Sequence, residues 1–186
     1  MLLLAIVSGA ALTGCAGAAP TTVEETTPTV GARMAGPVID IQVTQEALAS
    51  KPAPVDLKTP ESAIRSYLAW TSYAYRTAQS VAAQPAMTGP EYVRVDAYVQ
   101  FNIQQYRMID QTLDSLKLGT PTITADGATV TAKEKWTYRY VSVKTAGEVL
   151  EGPYPASYDA TYTLTKSADD AWLVDSVQAT ALGTVK

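Results

Sequence analysis

The sequence predicts an α+β fold in which helices pack on an antiparallel sheet, and three observations predict it. Two amphipathic helical stretches come first, long alternating stretches follow with no helix between them, and short turn sequences separate the alternating stretches. Helices followed by consecutive strands build a layered α+β domain and not a parallel α/β sheet.

The first helix opens at Thr59-Pro60-Glu61, a capping hydroxyl, a proline suited to the first helical position and an acid in the first turn. Ile64, Tyr67, Leu68, Thr71, Tyr75 and Ala78 recur at three- and four-residue spacing and form one apolar face. This helix is expected to end by Gln84, because Pro85 cannot continue it. Thr88 and Glu91 have the spacing of a capping box. The helix they open is expected to carry a stripe of Val95, Val99, Asn102, Tyr106, Ile109, Leu113 and Leu116 as far as Gly119, a natural stop. Asn102 interrupts that stripe, and a polar group facing a core needs a partner.

The strands follow. Residues 129–143 alternate, with Val130, Ala132, Glu134, Trp136, Tyr138 and Tyr140 on one face and Thr131, Lys133, Lys135, Thr137 and Arg139 on the other. Residues 154–166 form a second strand with Tyr158, Ala160, Tyr162 and Leu164 on one face, and residues 171–179 a third around Trp172-Leu173-Val174. Ala125-Asp126-Gly127 and Ser167-Ala168-Asp169-Asp170 are turns. Residues 120–124 are a further short strand candidate.

Three stretches in this order carry a family resemblance: TPESAIRSYL from Thr59, EKWTYRY from Glu134, and YDATYTL from Tyr158 with Trp172-Leu173-Val174-Asp175. Over residues 57–179 the chain resembles the nuclear transport factor 2-like superfamily, and within it the intermembrane-space (IMS) domain of chloroplast division proteins and their bacterial relatives. The resemblance implies a cone of helices on a curved antiparallel sheet. It implies a fold more than an activity, since the superfamily holds isomerases, dehydratases, transport receptors and non-catalytic binding modules. The narrower likeness implies a module for protein contacts.

The N-terminal end gives an address. Residues 2–12 are an apolar run of eleven, too short for a mature membrane span and suited to the hydrophobic part of a signal peptide. Leu12-Thr13-Gly14-Cys15 resembles a bacterial lipobox, in which the cysteine is acylated and becomes the new N-terminus. The expectation is a signal peptide over residues 1–14, lipidated Cys15 with a flexible linker over 15–37, and the folded domain over 38–186, with residues 38–43 as a short strand. No Lys or Arg precedes the apolar run, a departure from the usual positive start, so a start codon upstream belongs to the expectation. The linker, rich in Ala, Thr, Gly and Pro, would reach about 25 Å as a coil. Lipid on Cys15 makes the membrane the first partner and places the protein outside the cytoplasm.

Composition excludes several functions. The chain has 186 residues, 47% of them hydrophobic, and a net charge of −4, unlike the basic surface that nucleic acid needs. It has no histidine, which removes a Ser-His-Asp triad, a Cys-His dyad and any histidine zinc site. A single cysteine allows no internal disulfide. No metal-ligand spacing and no Gly-rich phosphate loop is present, and no cofactor is expected.

The candidate pocket or interface consists of Tyr67, Glu134, Trp136, Tyr138, Tyr140, Tyr158 and Tyr162. A carboxylate among aromatic rings on a dry concave face suits a general base or a ligand-binding acid. Alternatively, Glu134 pairs with Arg65, Arg76 or Arg107, or sits at an open sheet edge. The chain has 11 tyrosines against one phenylalanine, and tyrosine joins an apolar ring to a polar tip useful in pockets and interfaces. Lys133, Lys135 and Arg139 make a basic stripe on the opposite face, while Asp96, Asp110 and Asp114 are expected on or near one helix. The reading is a non-catalytic domain that binds an envelope protein or a small ligand. Its alternatives are a carrier of apolar or aromatic compounds and a ketosteroid-isomerase-like enzyme with Glu134 as base and a tyrosine as oxyanion donor.

Overall fold

A computed structural model of the chain describes residues 49–182. Cys15, the linker and the strand expected at residues 38–43 lie outside the described residues. The described elements run α1 (Pro60–Thr77), a 3₁₀ segment (Ser80–Ala86), α2 (Gly89–Gln104), β1 (Arg107–Leu118), β2 (Thr122–Ile123), β3 (Ala128–Ser142), β4 (Val149–Lys166) and β5 (Trp172–Ala181).

Helix α1 begins where its sequence directs. Thr59 Oγ1 accepts from the Ser62 amide at 3.1 Å, and Ser62 Oγ accepts from the Thr59 amide at 3.1 Å, a capping box closed by serine. Thr59→Ala is expected to cost about 1 kcal/mol in denaturant unfolding. The helix buries Ala63, Ile64, Tyr67, Leu68 and Thr71 against the sheet. It ends at Thr77, earlier than Gln84, because Ala78 turns left-handed at φ 60°. The chain then tightens into the 3₁₀ segment, which holds Pro85 and drives Ala83 and Ala86 into the core.

The largest departure from the sequence reading is β1. The second helix stops at Gln104, and Ile109, Leu113 and Leu116 belong to a strand paired antiparallel with β3 from Arg107↔Ser142 to Leu118↔Ala132. Tyr106 makes the turn at φ 54°, a conformation few non-glycine residues adopt. Asp110 and Asp114 therefore sit on β1, away from Asp96 on α2. Thr88 is the N-cap of α2 by position, but its hydroxyl donates to Asp175 at 2.9 Å, and Glu91 turns inward, so the expected capping box does not form.

The five-stranded antiparallel sheet has the order β1-β3-β4-β5, with short β2 pairing β3 beyond the end of β1. Along β3, Ala128, Val130, Ala132, Glu134 and Trp136 point to the helices while Thr129, Thr131, Lys133 and Lys135 point to solvent, the alternation that the sequence predicts. The core joins Ile64, Leu68 and Ala74 of α1 to Val130 of β3, Tyr162 and Leu164 of β4, and Trp172 and Val174 of β5. Near the far end of β3 the pairing skips from Tyr138↔Tyr154 to Tyr140↔Glu151. Gly152 sits in that bulge at φ 93°, where an added Cβ would lie 3.1 Å from Arg139 Cα, so glycine is what lets β4 pass.

The segment ahead of α1 is pinned along its length. The Trp70 indole donates to the Ala53 carbonyl at 3.0 Å, Ser66 Oγ accepts from the Asp56 amide at 2.8 Å, and the Trp172 amide donates to the Leu57 carbonyl at 2.9 Å.

Candidate functional site

Between the helices and the inner face of the sheet lies a cavity of about 350 Å³. Tyr138, Tyr140, Trp136 and Glu134 of β3 and Tyr158 of β4 form its floor, and Tyr67 and Tyr75 of α1 and Tyr98 of α2 form its roof. Six of the seven residues singled out in the sequence line this cavity; the seventh, Tyr162, lies in the core beneath it, 1% exposed, and reaches Glu134. A larger hollow of about 540 Å³ lies on the outer face of the sheet among Lys117, Thr131, Lys133, Asp159, Thr161 and Gln178. Its walls are the short polar side chains and lysine stems of a solvated face, and it brings together no buried acid or ring.

Glu134 is the polar centre of the inner cavity. It is 6% exposed, and its two oxygens are held separately. The Tyr162 hydroxyl donates to Oε1, and the Trp136 indole donates to Oε2 at 2.8 Å. None of the arginines considered for it is its partner. Arg76 and Arg139 meet Asp110 at 3.4 and 2.7 Å. Arg107 donates to Asn102 Oδ1 at 3.2 Å and lies 3.9 Å over the Tyr140 ring, and Arg65 is exposed. Asn102, the polar interruption of the helical stripe, thus finds partners on both sides, since its amide also donates to the Tyr98 carbonyl at 2.9 Å.

The rings of the cavity pack edge to face. Tyr138 meets Tyr140 at 5.8 Å between ring centres, and Tyr75 meets Tyr98 at 5.3 Å, tying α1 to α2 across the roof. Such pairs are worth about 0.5–1.5 kcal/mol beyond the area they bury. Tyr67 reaches past the cavity, and its hydroxyl donates to Glu91 Oε1 at 2.6 Å. Burial, reinforced by Tyr75 and Glu91, holds the Tyr67 phenol well above its ordinary range. Burial and the adjacent Glu134 do the same for Tyr162 and, less strongly, for Tyr158. Burial also pushes Glu91 upward, opposed by the Tyr67 hydroxyl and by Arg94, whose guanidinium lies 2.5 Å from Oε2.

Tyr98, Ile109, Gln111 and Ala156 line the cavity without having been singled out as site residues. Ile109 and Gln111 were out of reach because β1 reads as helix in the sequence; the inward alternation of Ile109, Gln111 and Leu113 is the signal that finds them. The basic stripe is a solvated face: Lys133 pairs with Asp159 at 2.8 Å, 71% exposed, and Arg139 with Asp110. Such exposed pairs contribute about 0–1 kcal/mol each. Among the described residues, no three acidic or thiol side chains gather as metal ligands, and no helix is long and apolar enough to cross a membrane.

No protein-family model matches the chain, and no curated protein matches it. Among solved structures, the intermembrane space region of chloroplast protein ARC6 is similar at a TM-score of 0.57 and 16% identity, over 70% of this chain and 100% of that one. A ketosteroid isomerase-like protein from Erwinia carotovora atroseptica SCRI1043 is similar at 0.47 and 18% identity, over 69% and 97%. A periplasmic fragment of TraM is similar at 0.46 and 12%, over 66% and 95%. The likeness to the ARC6 region shows the fold: the chain is an α+β domain with helices laid on a curved antiparallel sheet, as in that region.

Proposed function

We propose that this chain is an extracytoplasmic lipoprotein, anchored through Cys15, whose domain holds a small ligand of aromatic or apolar character without transforming it. The observation that carries the reading is the cavity itself, about 350 Å³, walled by tyrosine and tryptophan and reached from solvent. That volume lies within the range of small-molecule sites, which are mostly apolar with a few convergent polar groups. The state of Glu134 favours binding over acid–base chemistry. Both of its oxygens are occupied by protein donors, and the tyrosine hydroxyl nearest to it is spent on the acid itself and is not free to polarise a substrate carbonyl.

The anchor rests on the apolar run ahead of Leu12-Thr13-Gly14-Cys15. Mass spectrometry of the native protein should find the acylated cysteine as the first residue. An unlipidated polypeptide with residues 1–14 still attached would remove that half of the reading.

A thermal-unfolding screen of aromatic compounds tests the cavity. A true ligand at 100 times its Kd should add about 2.7 kcal/mol of stability. Ala179 lines the cavity and is exposed, so Ala179→Trp should block the mouth and abolish the shift while leaving the unliganded Tm near that of the parent. A shift that survives Ala179→Trp places the compound elsewhere.

A second reading, capture of an envelope protein, is favoured by the outer face of α2 and the turn after it. Val93, Phe101 and Tyr106 are 65%, 51% and 56% exposed there. Crosslinking from position 101 in cells should then recover a defined partner, and recovery of nothing above background ends this reading.

A further inference from the structure

Two carboxylates are buried among the described residues, Glu91 and Glu134. Glu91 is paired with Arg94. Glu134 differs. It is as buried as Glu91, it lines the cavity, and its protein partners are a phenol and an indole, both neutral donors. No lysine or arginine among the described residues forms an ion pair with it. A carboxylate removed from water without a counter-charge is costly, and two neutral hydrogen bonds offset that cost only in part. A carboxylate has about four lone-pair sites, so two donors leave room for a further partner on the cavity side.

The rest of the cavity has the complementary chemistry. Tyr75, Tyr98, Tyr138, Tyr140, Tyr158 and Trp136 surround the same space. Aromatic faces carry negative potential and attract cations, and cages of such rings are suited to ammonium groups whose alkyl substituents leave them weakly hydrated. The wall already accepts one cation, since the Arg107 guanidinium lies 3.9 Å over the Tyr140 ring. The outer hollow offers neither rings nor a buried acid, and its lysines disfavour a cation.

We infer that the inner cavity binds a small organic cation, an alkylated or quaternary ammonium compound, with its charge among the tyrosine rings and facing Glu134. This inference rests on the ligand-binding reading above and names the class of ligand. An apolar or aromatic portion of the compound would pack on Leu68, Ile109 and Ala156, and the ammonium group would lie toward β3.

The test is isothermal titration of the full chain with benzyltrimethylammonium and with neopentylbenzene, its neutral isostere in which carbon replaces the charged nitrogen. The cation should bind more tightly than the isostere by about tenfold or more, as a desolvated cation–aromatic contact implies. Glu134→Gln preserves size and removes the charge; its amide oxygen can accept from the Trp136 indole while its NH2 donates to the Tyr162 oxygen. It should lower the affinity for the cation about tenfold and leave that for the isostere unchanged. Tyr138→Leu, at a partly exposed ring, should weaken the cation selectively and serves if the buried substitution disturbs the fold. Equal affinities for the two compounds, or a preference for the isostere, overturn the inference while leaving the ligand-binding reading intact. Failure of both compounds overturns the inference. If the wider aromatic screen is also empty, the ligand-binding reading falls with it.

Discussion

Trp136→Ala is expected to destabilise the domain by about 3–5 kcal/mol, the usual cost of removing a buried tryptophan. Trp136 is 7% exposed, stands in the core between α1 and β3, and forms part of the cavity floor. Its removal enlarges the cavity and also strips Glu134 Oε2 of its donor. Trp136→Phe separates these two effects. It keeps most of the ring contact and deletes the indole N–H, so it should cost about 1.5–3 kcal/mol, the range for a lost hydrogen bond to a charged group. Denaturant midpoints for the two variants make the comparison. If Trp136→Phe proves as damaging as Trp136→Ala, the hydrogen bond to Glu134 matters more than the packing; if it is silent, Glu134 does not depend on the indole.

Alkaline unfolding should be steep. Tyr67 and Tyr162 are 6% and 1% exposed, and both phenols are held protonated above their ordinary value of 10.0, first by burial and then by neighbouring carboxylates and phenols. Their contribution is therefore complete below pH 10 and is lost as pH rises, because the unfolded chain releases these protons first. Each such phenol removes about 1.4 kcal/mol per pH unit within its window, so the pair removes about 3 kcal/mol for each unit above about pH 10. Tyr75, which burial also pushes upward, adds in the same direction. An ordinary domain has about 5–15 kcal/mol in reserve, which this slope exhausts within a few pH units. Circular dichroism and phenolate absorbance, followed together from about pH 8 to about pH 12, should show structure lost and the buried tyrosines ionised in one cooperative step. A gradual ionisation of all tyrosines around pH 10 with the fold intact would contradict the burial of these two hydroxyls.

How far the sequence could be read depended on the local period. The alternation of β3 and β4 was legible because one face of each strand meets helices and the other meets water, which forces a strict two-residue pattern from Ala128 to Trp136 and from Ala156 to Leu164. That pattern also placed Glu134, Trp136, Tyr138, Tyr140 and Tyr158 on one face. β1 was not legible for the opposite reason. Val95, Val99, Asn102, Tyr106, Ile109, Leu113 and Leu116 keep helical spacing straight across the turn at Tyr106, and no glycine or proline marks it. The register shift between Leu113 and Ser115 then breaks the alternation that would have revealed a strand. The capping pair Thr88 and Glu91 misled for a tertiary reason: Asp175 and Tyr67 compete successfully for the side chains that would have capped the helix locally.

The segment that enters the domain ahead of α1 has a mechanical meaning. Its carbonyls at Ala53 and Leu57 and its amide at Asp56 are clipped to Trp70, Trp172 and Ser66, two of these on α1 and one on the edge strand β5. Tension drawn through the chain from its N-terminal side would be taken up at these clips, one after another, before any of it reached the first turn of the helix. Two of the clips load α1 itself, at Ser66 and Trp70, on the helix that carries the roof tyrosines Tyr67 and Tyr75, so a pull on the entering segment would be passed to the roof of the cavity.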